Sequence, residues 1–340
     1  MDFINREKDI KQLNAHFRSE PNCLLFVYGP KSSGKSSLLE KVARQLDEDK
    51  YAVNFLDLRQ VIIYDFKTFL DVFFQEDIKE KTKDVLRGLT INAGFFKVKI
   101  DEKAMLKRNA FKIISDKLES AKNSGIQPVI IIDEIQLLKH IYINGERHLI
   151  DELFNLFIAL TKVRHSTHVV LCTSDSYFIE EIFKSAKLAK TSEFVLLDHF
   201  EKKVVYEWLE KENFDDENIN VVWDSLGGCP WEIRQIIEKN KQGVVVADAC
   251  EILLNNVYGR VFEFKRTLGR KEKDTFSRVI KQIVNKGFFE IDSEDDDEHL
   301  DGLLKKCIEM DIWFYMVDDH KITANSKSVY HSFRNLEEAC

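Results

Sequence analysis

The 340-residue chain is predicted to be an α/β protein: a P-loop-type three-layer α/β/α core on a parallel sheet, then a helical lid and a C-terminal winged helix. Three observations carry this. Gly29, Gly34, Lys35 and Ser36 stand in the spacing G-x-x-x-x-G-K-S between an apolar run and a helical repeat. Four β-branched residues, Val129 to Ile132, run into the carboxylates Asp133 and Glu134. Strand-like and helical runs alternate as far as residue 200, and the character then changes.

Ile10, Leu13 and Phe17 recur at helical spacing and predict a helix over 5–18. Leu24 to Val27 suit a strand buried on both faces, and Leu38, Leu39, Val42 and Ala43 a helix packed on a sheet. Residues 51–58 form a second strand candidate. The span from Lys35 to Asp133 exceeds one helix–strand–helix unit, so an insert is expected over about 66–103. It comprises an amphipathic part, 66–88, and a strand pair over 89–100 broken at Ala93–Gly94. A helix over 103–123 leads into the carboxylate strand, and another over 146–163 into a strand at 168–172 that ends in Thr173, Ser174 and Asp175. Residues 194–197 supply the fifth strand. Residues 201–257 read as helical, interrupted at Gly227, Gly228, Cys229 and Pro230; 262–340 read as helices followed by a hairpin turning at Asp318–Asp319. The expected domains are 1–200, 201–260 and 261–340.

The glycine loop points to nucleotide phosphates. Gly29 and Gly34 let successive N–H groups curl round an anion at a helix N-terminus, so Gly29, Pro30, Lys31, Ser32, Ser33, Gly34, Lys35, Ser36 and Ser37 form the expected cradle. Lys35 is placed to reach the β and γ phosphates, and the Ser36 hydroxyl to ligate Mg2+. The run into Asp133 and Glu134 reads as a buried parallel strand delivering acids into the crevice where such sheets bind ligands. Asp133 then belongs to the Mg2+ shell, and Glu134 orients or deprotonates the attacking water.

Composition narrows the rest. No run approaches about 18 apolar residues, and the first residues lack a charged-then-apolar leader, so a cytoplasmic protein without a membrane partner is expected. Six cysteines are scattered without a C-x-x-C pair and read as reduced thiols. A net charge of −8 gives no global attraction to nucleic acid.

With these motifs in place, the chain resembles the archaeal-type ATPases of the STAND/AAA+ superfamily over nearly its whole length. Residues 3–7, FINRE, resemble an N-terminal box that in the family lies against adenine, which implies Phe3 and Arg6 as base-side residues. The strand ending in Ser174 resembles the sensor 1 region. GGCPWEIRQI resembles a lid motif whose proline, here Pro230, contacts base or ribose, with Arg234 matching a sensor 2 position. ATP as the nucleotide follows from this resemblance. One departure stands out: where relatives carry a Gly-Arg pair suited to an arginine finger, this chain has FKSAKLAKTSEF at 183–194, and lysine lacks the planar fork. Arg164 is the nearest substitute by sequence.

Partners stay open at this level. Residues 260–286 hold nine Lys/Arg against three acids, which favours DNA, whereas 287–301 hold eight acids and no Lys or Arg beside the expected recognition helix, 299–310. Protein interaction or self-inhibition is the competing use. A homo-oligomeric scaffold with little turnover is a third reading, through an apolar hairpin at Phe95–Phe96.

Overall fold

The computed structural model describes residues 6–74, 110–291 and 299–338. Phe3, the hairpin expected at 89–100 and most of the acidic run lie outside the described residues.

Five parallel strands form the central sheet in the order β2-β3-β6-β1-β7: β1 Leu24–Tyr28, β2 Tyr51–Asp57, β3 Gln127–Asp133, β6 His168–Thr173 and β7 Ser192–Leu196. Alternation along β3 explains why both faces are apolar. Val129 and Ile131 face the helices α1 (Glu7–Arg18) and α2 (Lys35–Gln45) through Leu13, Phe17, Leu38 and Val42. Ile130 and Ile132 face the opposite layer, with Ile114, Leu153 and Ile179 from the helices Ala110–Asn123, Leu149–Ile158 and Ser176–Lys184. A strand covered on both sides needs this unbroken β-branched run.

Register aligns the chemistry. Asp57 at the end of β2 pairs with Asp133 at the end of β3, and Asp133 pairs with Cys172 on β6. Thr173 is level with Tyr28, after which the chain enters the glycine loop. β6 therefore lies between the loop strand and the carboxylate strand, and its polar end opens into the gap between them.

Several boundaries differ from expectation. The helix expected over 146–163 begins at Leu149, after a two-stranded ribbon of β4 (Tyr142–Ile143) and β5 (Arg147–His148), and continues from Ala159 to Val163 as a π turn. Arg147 and His148 pair with Ile143 and Tyr142 across a tight hairpin turning at Asn144–Gly145, which helical periodicity does not encode. Part of the insert, α3 (Phe66–Phe74), is helical.

The region after residue 200 contains the helices Lys202–Lys211, Asp216–Leu226, Pro230–Lys241 and Val246–Thr267. The last runs through the expected border at 260 and 261, because Val257, Val261 and Phe264 continue one buried stripe. The helix Arg270–Lys286 then leads to a three-stranded sheet, β8-β10-β9, of β8 (Phe289–Glu290), β9 (Trp313–Met316) and β10 (Lys321–Ala324). The helix Leu300–Glu309 precedes β9, and Lys327–Glu338 ends the described chain. Its core stacks Phe276 on Trp313 at 5.5 Å. The five cysteines among the described residues are free thiols. No described helix is long and apolar enough to cross a membrane.

Glu232 joins the helices after residue 200 to the C-terminal part. It accepts hydrogen bonds from Ser328 Oγ at 2.6 Å and Ser326 Oγ at 3.4 Å. Burial pushes its carboxyl above the ordinary value, against the pull of the two serine bonds. A carboxyl raised in this way binds its proton more tightly folded than unfolded, so stability is lost as pH rises from the ordinary glutamate range through the raised value. Glu232→Gln is therefore expected to melt above the wild type at about pH 8, with the gap closing near pH 4; equal gaps at both values in thermal melts would contradict this.

Candidate functional site

The loop between β1 and α2 is held by backbone geometry. Gly34 has φ +94°, a conformation that glycine adopts without strain, and serves as the N-cap of α2 with no side chain capping the helix. The first turn of α2 carries no acid. A helix start left uncapped by side chains and free of acids is an anion site. Gly29 answers a different need: a Cβ there would lie 2.1 Å from the Leu197 carbonyl oxygen, which follows β7.

Lys35 is buried, and its Nζ donates to the carbonyls of Gly29 at 3.0 Å and Pro30 at 2.9 Å. Burial pushes its ammonium below the ordinary lysine value, and the nearby charges of Glu134 and Asp133 oppose that. A buried ammonium held by neutral oxygens, these two carbonyls and the Ser33 hydroxyl at 3.5 Å, is poised to exchange them for phosphate oxygens.

Facing it is a cluster of acids with one arginine. Arg59, in the turn after β2, donates through Nη2 to Ser36 Oγ at 2.8 Å and Asp133 Oδ2 at 2.7 Å. It pairs with Asp57 through Nε at 3.0 Å and Nη2 at 3.2 Å, and its Nη1 lies 3.5 Å from Glu134 Oε1. Burial works against this guanidinium, but the Asp57 hydrogen bond and the charges of Asp133, Asp57 and Glu134 win and push it up. Burial likewise opposes the Asp57 carboxylate, and the hydrogen bonds from Arg59 and Gln60 hold it below the ordinary value. A cation thus bridges Ser36 and Asp133, the two groups that the sequence assigns to Mg2+. The oxygen donors and the positive charge among them fit a hard divalent cation.

Glu134 sits at φ +58°, an uncommon conformation for a side-chain-bearing residue. Gln136 Nε2 donates to its Oε2 at 2.5 Å and accepts from Thr173 Oγ1 at 2.6 Å through its own Oε1. Ser174 Oγ donates to Glu134 at 3.3 Å. The helix after β6 is capped by Asp175, whose side chain accepts from the Phe178 N–H, so Ser174 is left to face the site.

These groups open into a cleft of about 720 Å3. It brings together Lys31, Ser32, Gly34, Lys35, Ser36 and Ser37 of the loop with Glu134 and Ser174. Pro230 and Arg234 line its other wall, beside Trp231, which is 54% exposed. Asp133 lies beneath Arg59 and is fully buried. Arg6 is placed behind the loop: its Nη2 donates to the carbonyls of Ser33 at 2.7 Å and Asp198 at 2.6 Å, and its guanidinium stacks over Phe200 at 4.6 Å. It braces the cradle from outside the cleft. Arg164 pairs with Glu119 at 2.9 Å and does not line the cleft. Lys184 pairs with Glu180, and Lys187 hydrogen-bonds Asn155.

Sequence reasoning missed Arg59, Asp57, Gln136 and Thr173. For Asp57 and Arg59 the signal was available: a strand reading NFLDLR ends in an acid and an arginine as the carboxylate strand ends in two acids. Gln136 offered none, since only the fold brings it to Thr173.

A family of ATPase domains predominantly from Archaea matches residues 3–236. An uncharacterized ATP-binding protein of Methanocaldococcus jannaschii is 34% identical over 343 residues, covering 100% of this chain and 98% of the relative. Another from Pyrococcus abyssi is 31% identical, covering 82% and 83%. Among solved structures, the Walker-type ATPase of Pyrococcus abyssi superposes with a TM-score of 0.66 at 17% identity, covering 98% of this chain and 96% of that one. The ORC2 protein of Aeropyrum pernix, in ADPNP–ADP complexes, gives 0.53 at 11%, covering 98% and 93%. Both likenesses concern the fold.

The Gly29 contact gives a direct test. Gly29→Ala forces a methyl into the Leu197 carbonyl and is expected to cost about 1–3 kcal/mol or more of stability and to weaken nucleotide binding. An unchanged denaturant midpoint would show that the loop tolerates the methyl.

Proposed function

The chain belongs to the family of ATPase domains found predominantly in Archaea, and from that premise we propose that it binds ATP in the loop–lid cleft and hydrolyses its β–γ bond. One observation carries the reading: the uncapped start of α2, with Lys35 and Ser36, faces Glu134, with Asp133 buried beneath Arg59 beside it, across one cleft whose far wall is Pro230 and Arg234.

The triphosphate lies along residues 29–37, where backbone N–H groups and the helix dipole hold it and Lys35 turns from the Gly29 and Pro30 carbonyls to the β and γ oxygens. Ser36 and Asp133 would hold Mg2+, which when bound would supply charge neutralisation for the phosphoryl group. Glu134 positions and deprotonates the attacking water; Ser174 and Gln136 fix its carboxylate, and Thr173 fixes Gln136. Pro230 and Trp231 offer apolar surface to the base, and Arg234 offers charge to the phosphates. Contact with both walls ties lid position to nucleotide state.

The same geometry supports a switch more than a duplex reader for the C-terminal part. The helix Leu300–Glu309 lies against the ATPase core: Tyr177 Oη donates to Asp301 at 3.0 Å, and Ile308 and Glu309 line the cleft. Asp311 pairs with Lys31 of the loop at 2.8 Å. One face of this helix, with Leu303, Leu304, Cys307 and Ile308, is buried against its own protein, and its exposed face includes the acids Asp301 and Glu309 beside Lys305 and Lys306; this favours intramolecular signalling over DNA contact through that helix. Of the basic stretch, Arg266 is paired with Glu263, and Arg278 packs over Phe289.

Two substitutions test the enzyme reading. Lys35→Ala is expected to abolish ATP binding in calorimetry. Glu134→Gln is expected to keep binding while turnover falls by about 10²–10⁴-fold. Wild-type turnover in Glu134→Gln would remove Glu134 as the base.

A further inference from the structure

Asp57, Asp133 and Glu134 crowd the ends of two neighbouring strands, and Arg59 pairs with all three. Its partners are unequal. Asp57 is bound by the Arg59 backbone N–H and Nε, both at 3.0 Å, and also by Gln60 Nε2 at 2.9 Å. Ser36 and Asp133 are both reached by Nη2, which also contacts Asp57 Oδ2. That nitrogen has two protons for three acceptors, so these bonds are shared, whereas the link to Asp57 is secured elsewhere. The Arg59 side chain is 47% exposed, and it lines the cleft where the phosphates are placed.

We propose that Arg59 is the exchangeable cation of this site: without nucleotide its guanidinium stands where Mg2+ stands in the ATP-bound protein, and on binding it releases Ser36 and Asp133 while staying tethered to Asp57. This rests on the Mg·ATP reading of the cleft. Arginine suits the role because it keeps its charge at every working pH, so the buried acids never stand uncompensated. The exchange also makes loading conditional. A divalent cation arriving alone must compete with a charge already tethered in place, whereas one arriving with ATP brings phosphates that take up the released guanidinium. Arg59 thereby places a planar, bidentate cation beside the phosphates from within the same chain. The segment 183–194 lacks an arginine, and two of its three lysines, Lys184 and Lys187, are engaged with Glu180 and Asn155.

The test uses Mn2+ alone, titrated into nucleotide-free protein with free Mn2+ read by electron paramagnetic resonance. Wild type is expected to bind weakly, Arg59→Ala at least about tenfold more tightly, and Arg59→Lys close to wild type. Mn2+ should also raise the melting temperature of Arg59→Ala more than that of wild type. If Arg59→Ala folds only with metal, recovery of its circular dichroism on adding Mn2+ supports the exchange. Mn2+ affinity in Arg59→Ala no higher than in wild type, or an unfolded variant that Mn2+ fails to rescue, overturns it. No nucleotide is present, so loss of ATP binding in Lys35→Ala decides the ATP reading separately.

Discussion

The arrangement of this protein depends on one electrostatic constraint: parallel strands β2 and β3 end level with each other, and both end in carboxylates. Asp57 lies beside Asp133, with Glu134 next in the chain. Like charges this close, one of them fully buried, demand a cation. Arg59, half exposed, meets that demand from the turn after β2, and Lys35 adds a buried positive charge from the loop. The site is thus charged in both directions before any ligand arrives. Its acids rest on Arg59, and its buried ammonium rests on the Gly29 and Pro30 carbonyls.

The sheet order gives those charges their shape. With β6 between β1 and β3, the Thr173–Ser174 strand end falls between the phosphate loop and Glu134. Thr173 then fixes Gln136, Gln136 and Ser174 fix Glu134, and Asp175 leaves the group by capping the next helix. Arg6 plays a comparable part on the outer side by tying the loop to the chain beyond β7. Positions next to one another in sequence therefore do different work: Ser174 bonds Glu134, and Asp175, which also lines the cleft, caps the next helix.

Much of this was legible in the residues. The five strands, the glycine loop and the paired acids announce themselves because a doubly covered strand must be continuously apolar and a phosphate loop must be glycine-rich. Ser174 and Arg234 were placed in the cleft by resemblance, and both line it. Arg6 was expected on the base side; it also braces the loop through the Ser33 and Asp198 carbonyls, a reach set by the path of the chain after β7, which no local pattern records. Arg59 went unread for a related reason: its meaning comes from partners 23 and 74 residues away. The ribbon at 142–148 turns at Asn144–Gly145, a hairpin signal that was legible but too short to outweigh the helical pattern around it, and the long helix across residue 260 was hidden by a buried stripe running on.

The central claim is that one nucleotide bridges the loop and the lid. Amide hydrogen exchange with and without Mg·ATP measures this most directly, because it reads both walls of the cleft in one experiment. Joint protection of residues 29–37 and of 227–235 is the expected result. Protection of the loop alone, with the lid exchanging as in the nucleotide-free protein, would contradict it.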